Sequence, residues 1–107
     1  MLLAEDNDLN AEIAVALLDM QGVEARRAAN GREAVDMFEA SEPGAFDFVL
    51  MDVKMPLLDG LEAAIEIRSL DREDARTVPI IALTANAFAD DVYRARQAGM
   101  NEHVTKP

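Results

Sequence analysis

The stretch FDFVLMDVKMP, residues 46–56, carries a run of apolar side chains straight into an aspartate, Asp52. Near-continuous apolar character suits a central strand of a parallel sheet, buried on both faces, better than a half-exposed strand with alternating residues. Residues 46–51 are therefore expected to form that strand, with Asp52 at its C-terminal end. A charge placed at the end of a buried strand calls for a reason.

Working outward, four more strand candidates appear: residues 1–5, residues 23–28, VPIIALTA at 78–85 and residues 102–105. Pro79 is tolerable at the start of its strand. Between them lie segments with helical spacing. The first carries Leu9, Ile13, Leu17 and Met20 on one face and stops at Gly22. The second bears Ala34, Met37 and Phe38, opens with the capping pair Asn30 and Glu33, and is broken by SEPGA. The third bears Leu61, Ala64, Ile65 and Leu70 behind Asp59 and Glu62, and the last runs from about residue 88 to residue 98 before Gly99. The charged DREDAR, residues 71–76, reads as a solvated connector, and Met51, Met55, Leu57 and Leu58 as core and loop packing.

This β-α alternation predicts an α/β fold with a doubly wound, five-stranded parallel sheet. A helix after the last strand is missing from the pattern, which would leave apolar surface bare on one sheet face. A second copy of the chain in a homodimer, an exchanged segment or further residues would cover it. Both ends of the sequence read as trimmed to the core of one domain, residues 1–107.

At 107 residues the chain suits one domain. Its 10 basic and 21 acidic residues give a net charge of -11, which repels nucleic acid and anionic membranes. The absence of cysteine excludes disulfides, zinc thiolate sites and thiol redox switching, and a reducing cytoplasm fits. No apolar run approaches the roughly 18 residues of a membrane span, and the N-terminus lacks the basic start of a signal peptide.

Ligand sites of parallel α/β sheets lie beyond the carboxyl ends of the strands, where strand order reverses. Those ends carry Glu5 and Asp6 on the first strand, Asp52 on the third, Thr84 on the fourth and Lys106 on the fifth. With order 2-1-3-4-5 the first and third strands are neighbours at about 4.8 Å, so their terminal carboxylates crowd together and demand a cation. An all-oxygen donor set suits Mg2+, with Asp6 and Asp52 the best ligands, Glu5 reaching it through water and the backbone carbonyl of Lys54 filling another position. Beside Mg2+ and the Lys106 ammonium, Asp52 stays ionised and can attack phosphorus, while the Thr84 hydroxyl helps neutralise the equatorial oxygens.

These pieces, AEDN at 4–7, LMDVKMPLLDG at 50–60, ALTA at 82–85 and TKP at 105–107, resemble the receiver domains of two-component response regulators and hybrid histidine kinases in order and spacing. The resemblance spans nearly the whole chain. It implies a flavodoxin-like fold, Asp52 as phosphoacceptor, Glu5 and Asp6 as the acidic metal pair, Thr84 as switch hydroxyl, Lys106 as the bridge to the phosphoryl group, and a cis bond between Lys106 and Pro107. It also implies a phosphohistidine donor, either a histidine kinase or a histidine phosphotransfer domain, with self-catalysed phosphorylation and dephosphorylation but no turnover of a separate substrate. The chain departs from the family at the switch position three residues before the lysine, where His103 replaces Tyr or Phe. Histidine there is familiar in hybrid kinases, and EDNDLN and ALTANAFADD share that flavour, so the resemblance favours a cytoplasmic segment of a hybrid kinase, whether or not that polypeptide is anchored in a membrane elsewhere, and leaves a stand-alone regulator open. His103 has a plainer reading as a half-buried residue filling a groove beside the last strand.

Three other readings compete. A pseudo-receiver would keep the fold as a protein-interaction module without phosphorylation, yet Asp6, Asp52 and Lys106 are all present. A phosphohydrolase of the haloacid dehalogenase type needs a second aspartate two residues after its nucleophile, where this chain has Lys54. A flavodoxin-type flavin site would set its phosphate against the acidic first loop.

Overall fold

Short polar caps set the helix boundaries. Asn7, Asn30 and Asp59 each accept, through a side-chain oxygen, a hydrogen bond from the amide three residues on: Asn10 at 2.9 Å, Glu33 at 2.8 Å and Glu62 at 2.9 Å. Each satisfies one amide that a helix start leaves unpaired. They open α1 (Asp8–Met20), α2 (Gly31–Ala40) and α3 (Gly60–Arg68). The capping box expected at Asn30 and Glu33 is completed one residue early, because the Glu33 carboxylate accepts from the amide of Ala29 at 3.3 Å. Gly22, at φ +78°, closes α1, with the Val23 amide donating to Leu18 at 2.9 Å.

The computed structural model describes residues 1–53, 55, 57–84 and 89–105, and for residues 89–91 and 105 the backbone only. Five strands, β1 (Leu2–Ala4), β2 (Arg26–Ala28), β3 (Val49–Asp52), β4 (Ile80–Thr84) and β5 (Glu102–Thr105), pair in parallel in the order β2-β1-β3-β4-β5. That is the order expected from the sequence. The ladders are shorter than the apolar runs: residues 23–25 and 46–48 lie outside them, and the third strand extends to Asp52 itself. The last connection is α5 (Ala89–Gln97); Phe88, at its expected start, falls outside the described residues.

Burial alternates along the central strands. Val49, Met51, Ile80, Ala82 and Thr84 are buried, whereas Leu50, Ile81 and Leu83 are half-buried. Val49, Met51, Ile80 and Ala82 form one core with Ala34, Val35 and Phe38 of α2 and Ala63, Ala64 and Ile67 of α3. Each large side chain enclosed there contributes about 1.5–3 kcal/mol. The opposite face is less closed, with Leu50, Ile81 and Leu83 half-buried and Val104 51% exposed.

Two expectations are corrected on this scaffold. The α1 stripe of Leu9, Ile13, Leu17 and Met20 faces outward, and the helix instead buries Ala11 and half-buries Ala14, Val15 and Leu18. Because the adjoining stripe is apolar too, periodicity marks the helix without choosing its buried side. DREDAR is not a solvated connector either: it leads into a short helix, α4 (Glu73–Thr77), and its Arg72 and Asp74 side chains are only 17% and 19% exposed.

Arg72 is a clamp. It donates to the carbonyls of Phe38 at 2.7 Å and Ser41 at 2.9 Å at the end of α2, forms a forked pair with Asp74 at 2.7 and 2.9 Å, and lies 5.0 Å from the centre of the Phe38 ring. Phe38 in turn stacks on Phe46 at 6.1 Å. Arg72→Ala is expected to lower unfolding free energy by about 1–3 kcal/mol in urea denaturation followed by circular dichroism. The hydrogen bonds from Arg72 and from the Gly44 amide hold the Asp74 carboxyl below its usual range. A depressed carboxylate contributes stability above its unfolded pKa and loses it as pH falls through the folded value. Below about pH 4, wild-type stability should therefore fall more steeply than that of Asp74→Asn.

Candidate functional site

In the parallel register Ala4 lies opposite Met51, so the residues that follow, Glu5 and Asp52, meet at the carboxyl edge of the sheet. Glu5, Asp52 and Thr84 are the buried polar or charged side chains among the described residues, at 3%, 4% and 4% exposure, and all three sit at this edge. Asp6 is exposed beside them. Carboxylate oxygens of Glu5, Asp6 and Asp52 lie within 4.8 Å of one another. The Asn7 amide donates to the Glu5 carboxylate at 3.2 Å, so the residue that caps α1 also steadies the acidic turn.

Backbone packing locates Asp52. The Gly60 amide donates to the Val53 carbonyl at 2.9 Å, folding the start of α3 back onto β3. A Cβ on Gly60 would lie 2.1 Å from the Asp52 carbonyl oxygen, and one on Gly31 would lie 1.9 Å from that of Leu58. Only glycine fits either place. Neither glycine has an evident role in the sequence pattern, although a glycine directly after an Asn or Asp cap is a recognisable signal of close backbone approach. Leu57, expected to pack, is 84% exposed at φ +68°, a left-handed conformation that turns its side chain into solvent; Met55 and Leu58 do pack against the core.

Thr84 ends β4 with its Oγ1 buried and without a hydrogen-bond partner among the described residues. Such a hydroxyl costs about 1–3 kcal/mol unless something accepts or donates to it. His103 is half-buried on β5 against Val92, Ala95, Arg96 and Met100. Lys54, Lys106 and the Lys106–Pro107 bond lie outside the described residues. The cluster therefore comprises Glu5, Asp6 and Asp52, with Thr84 two strands away from β1 on the same edge. Its donors are carboxylate oxygens, with neither thiolate nor imidazole among them, which fits a hard divalent cation and not zinc.

A family model described as the response regulator receiver domain matches residues 1–107. The chain belongs to that family. This receiver is 37% identical over 109 residues to hybrid signal transduction histidine kinase I of Dictyostelium discoideum, covering all of this chain and 6% of the kinase. It is 36% identical over 107 residues to the polar-differentiation response regulator DivK of Brucella anthropi, covering all of this chain and 83% of DivK. It thus spans a small fraction of some relatives and most of others. Among solved structures, the receiver domain of sensor histidine kinase PA1611 from Pseudomonas aeruginosa PAO1, with a magnesium ion coordinated in its active-site cleft, is 43% identical with a TM-score of 0.87, over 99% of this chain and 83% of that one. A chain from the co-crystal of the Saccharomyces cerevisiae histidine phosphotransfer protein Ypd1 with the receiver domain of Ssk1 is 32% identical with a TM-score of 0.86, over 99% of this chain and 77% of that one. No helix among the described residues is long and apolar enough to cross a membrane.

Three carboxylates this close repel one another when ionised. In a buffer free of divalent cations, Asp6→Asn should raise unfolding free energy by roughly 0.2–1 kcal/mol, the small value proper to an exposed charge. With Mg2+ at ten times its dissociation constant, wild type should gain about 1.4 kcal/mol, while the variant gains less. Denaturant titrations with and without the cation check both signs.

Proposed function

We propose that this receiver takes a phosphoryl group from a phosphohistidine onto Asp52 in a Mg2+-dependent reaction, and relays the signal as a shift between two conformational populations. The observation that carries the reading is the selective burial of Glu5, Asp52 and Thr84 at one sheet edge, beside Asp6. The Thr84 hydroxyl, without a partner among the described residues, is costly to bury unless a ligand meets it there, and the neighbouring carboxylates offer the oxygens that a hard cation takes.

An Asp52 carboxylate oxygen attacks phosphorus; the new O–P bond forms as the P–N bond to the donor imidazole breaks, and the released nitrogen keeps the electron pair and takes a proton. Glu5, Asp6, Asp52 and the Lys54 carbonyl would hold Mg2+, which supplies positive charge for the phosphoryl oxygens when bound. Lys106 supplies a second cation. The Thr84 hydroxyl donates to a phosphoryl oxygen, which satisfies the buried group. Thr84 and Thr105 are register partners, as are Ala82 and His103, so movement of the end of β4 is passed to β5. The chain catalyses its own phosphorylation and dephosphorylation and turns over no other substrate.

A histidine kinase or histidine phosphotransfer domain is the donor, a reading supported by the co-crystal relative and the hybrid kinases. The exposed Leu9, Ile13 and Leu17 of α1 begin three residues beyond Asp6, giving such a protein an apolar surface from which its imidazole can reach Asp52. The chain works in the cytoplasm, as a stand-alone regulator or within a membrane-anchored kinase.

Intact mass after incubation with acetyl phosphate tests the chemistry: one phosphoryl group added to wild type with Mg2+, none without it, and none on folded Asp52→Ala. A folded wild type that takes no adduct would instead be a pseudo-receiver. Ile13→Glu should slow transfer from a phosphohistidine protein by tenfold or more, on the order of a lost interface anchor, while its labelling by acetyl phosphate stays at the wild-type rate.

A further inference from the structure

Arg27 lies on β2, the edge strand, opposite Leu3 of β1. Its Nε and Nη2 donate to the backbone carbonyl of Glu5 at 3.1 and 2.9 Å, and its Nη1 donates to the Asp8 carboxylate at 2.7 Å. The β1–β2 ladder has ended at this point, the Glu5 amide having made its last bond to Ala28 at 3.1 Å. One guanidinium therefore grips the chain on both sides of Asp6 and Asn7. Its planar fork fixes direction as well as distance, which a lysine ammonium would not do.

We propose that Arg27 is a positioning residue for the divalent-cation site, a staple from the edge strand that holds the Glu5–Asp8 turn so that Asp6 is presented beside Asp52. The inference rests on the reading of the acidic cluster as a cation site. Its sign is diagnostic. A positive charge beside three carboxylates, taken as electrostatics alone, opposes cation binding, so deleting it would tighten Mg2+. A staple acts in the other direction: without it Asp6 samples more orientations and the ion binds more weakly.

The test is calorimetric titration of MgCl2 into wild type, Arg27→Met and Arg27→Lys at fixed ionic strength with no phosphodonor, paired with amide hydrogen exchange of the metal-free proteins. The expected order of affinity is wild type, then Lys, then Met, with Met weaker by roughly tenfold, as for other groups that orient metal ligands. Exchange should quicken at the amides of residues 6–8 in Arg27→Met and stay unchanged in β3 and β4. Equal or tighter binding by Arg27→Met overturns the proposal, as does faster exchange spread evenly over the sheet, which would mark general destabilisation. If wild type binds no Mg2+, the reading of the site fails by itself; unchanged exchange at residues 6–8 in Arg27→Met would then remove the staple as well.

Discussion

Parallel pairing of β1 with β3 is the constraint on which the rest depends. A two-residue extension past Ala4 and a one-residue extension past Met51 bring Glu5, Asp6 and Asp52 to one edge, because adjacent strands are separated by only about 4.8 Å. No single side chain arranges this; the sheet does. The surrounding features serve to hold that edge still. Gly60 lets α3 begin directly on the Asp52 carbonyl, Asn7 joins the cap of α1 to the Glu5 carboxylate, and Arg27 grips the acidic turn from the outer strand.

The strand order and the acidic cluster were legible in the sequence because both follow from one-dimensional signals. Apolar runs that end abruptly in Glu5-Asp6, Asp52 and Thr84 announce buried strands with polar tips, and the βαβ alternation leaves few topologies for them. What escaped depends on contacts between residues far apart in the chain. DREDAR looks like any solvated charge run until Arg72 is seen to cap a helix ending more than thirty residues earlier. Likewise, the row Leu9, Ile13, Leu17 has the spacing of a core-facing stripe, but α1 offers a second apolar stripe of smaller residues and the sheet takes that one. Close packing favours the small side chains where a helix lies down on a sheet, a choice no periodicity encodes.

The two faces of the sheet differ in a way that bears on the site. Beneath α2 and α3 the core is closed, with Phe38, Met51, Ile67 and Ile80 fully enclosed. On the other face Leu50, Ile81 and Leu83 are only half-covered and Val104 is exposed. Thr84 projects from β4 with the closed set, Ile80 and Ala82, so its hydroxyl is held in the rigid layer, and β5, where His103 lies, is the opposite edge of the sheet from Arg27. The acidic turn and the half-buried histidine thus sit at the two margins of one sheet, with Asp52 between them.

The register of Leu2 with Val49 carries a consequence for how the molecule assembles. These partners are separated by nearly half the chain, so β1 docks against β3 only after a long loop has closed, and such non-local contacts make for high contact order and slow folding. Glu5 and Asp52 belong to opposite sides of that closure. With α2 and α3 collapsed on β3 but β1 undocked, the aspartate would stand at the edge without its partner acids beside it. The three carboxylates therefore come together only when that long loop closes, so the acidic edge and the pairing of β1 with β3 form in one event.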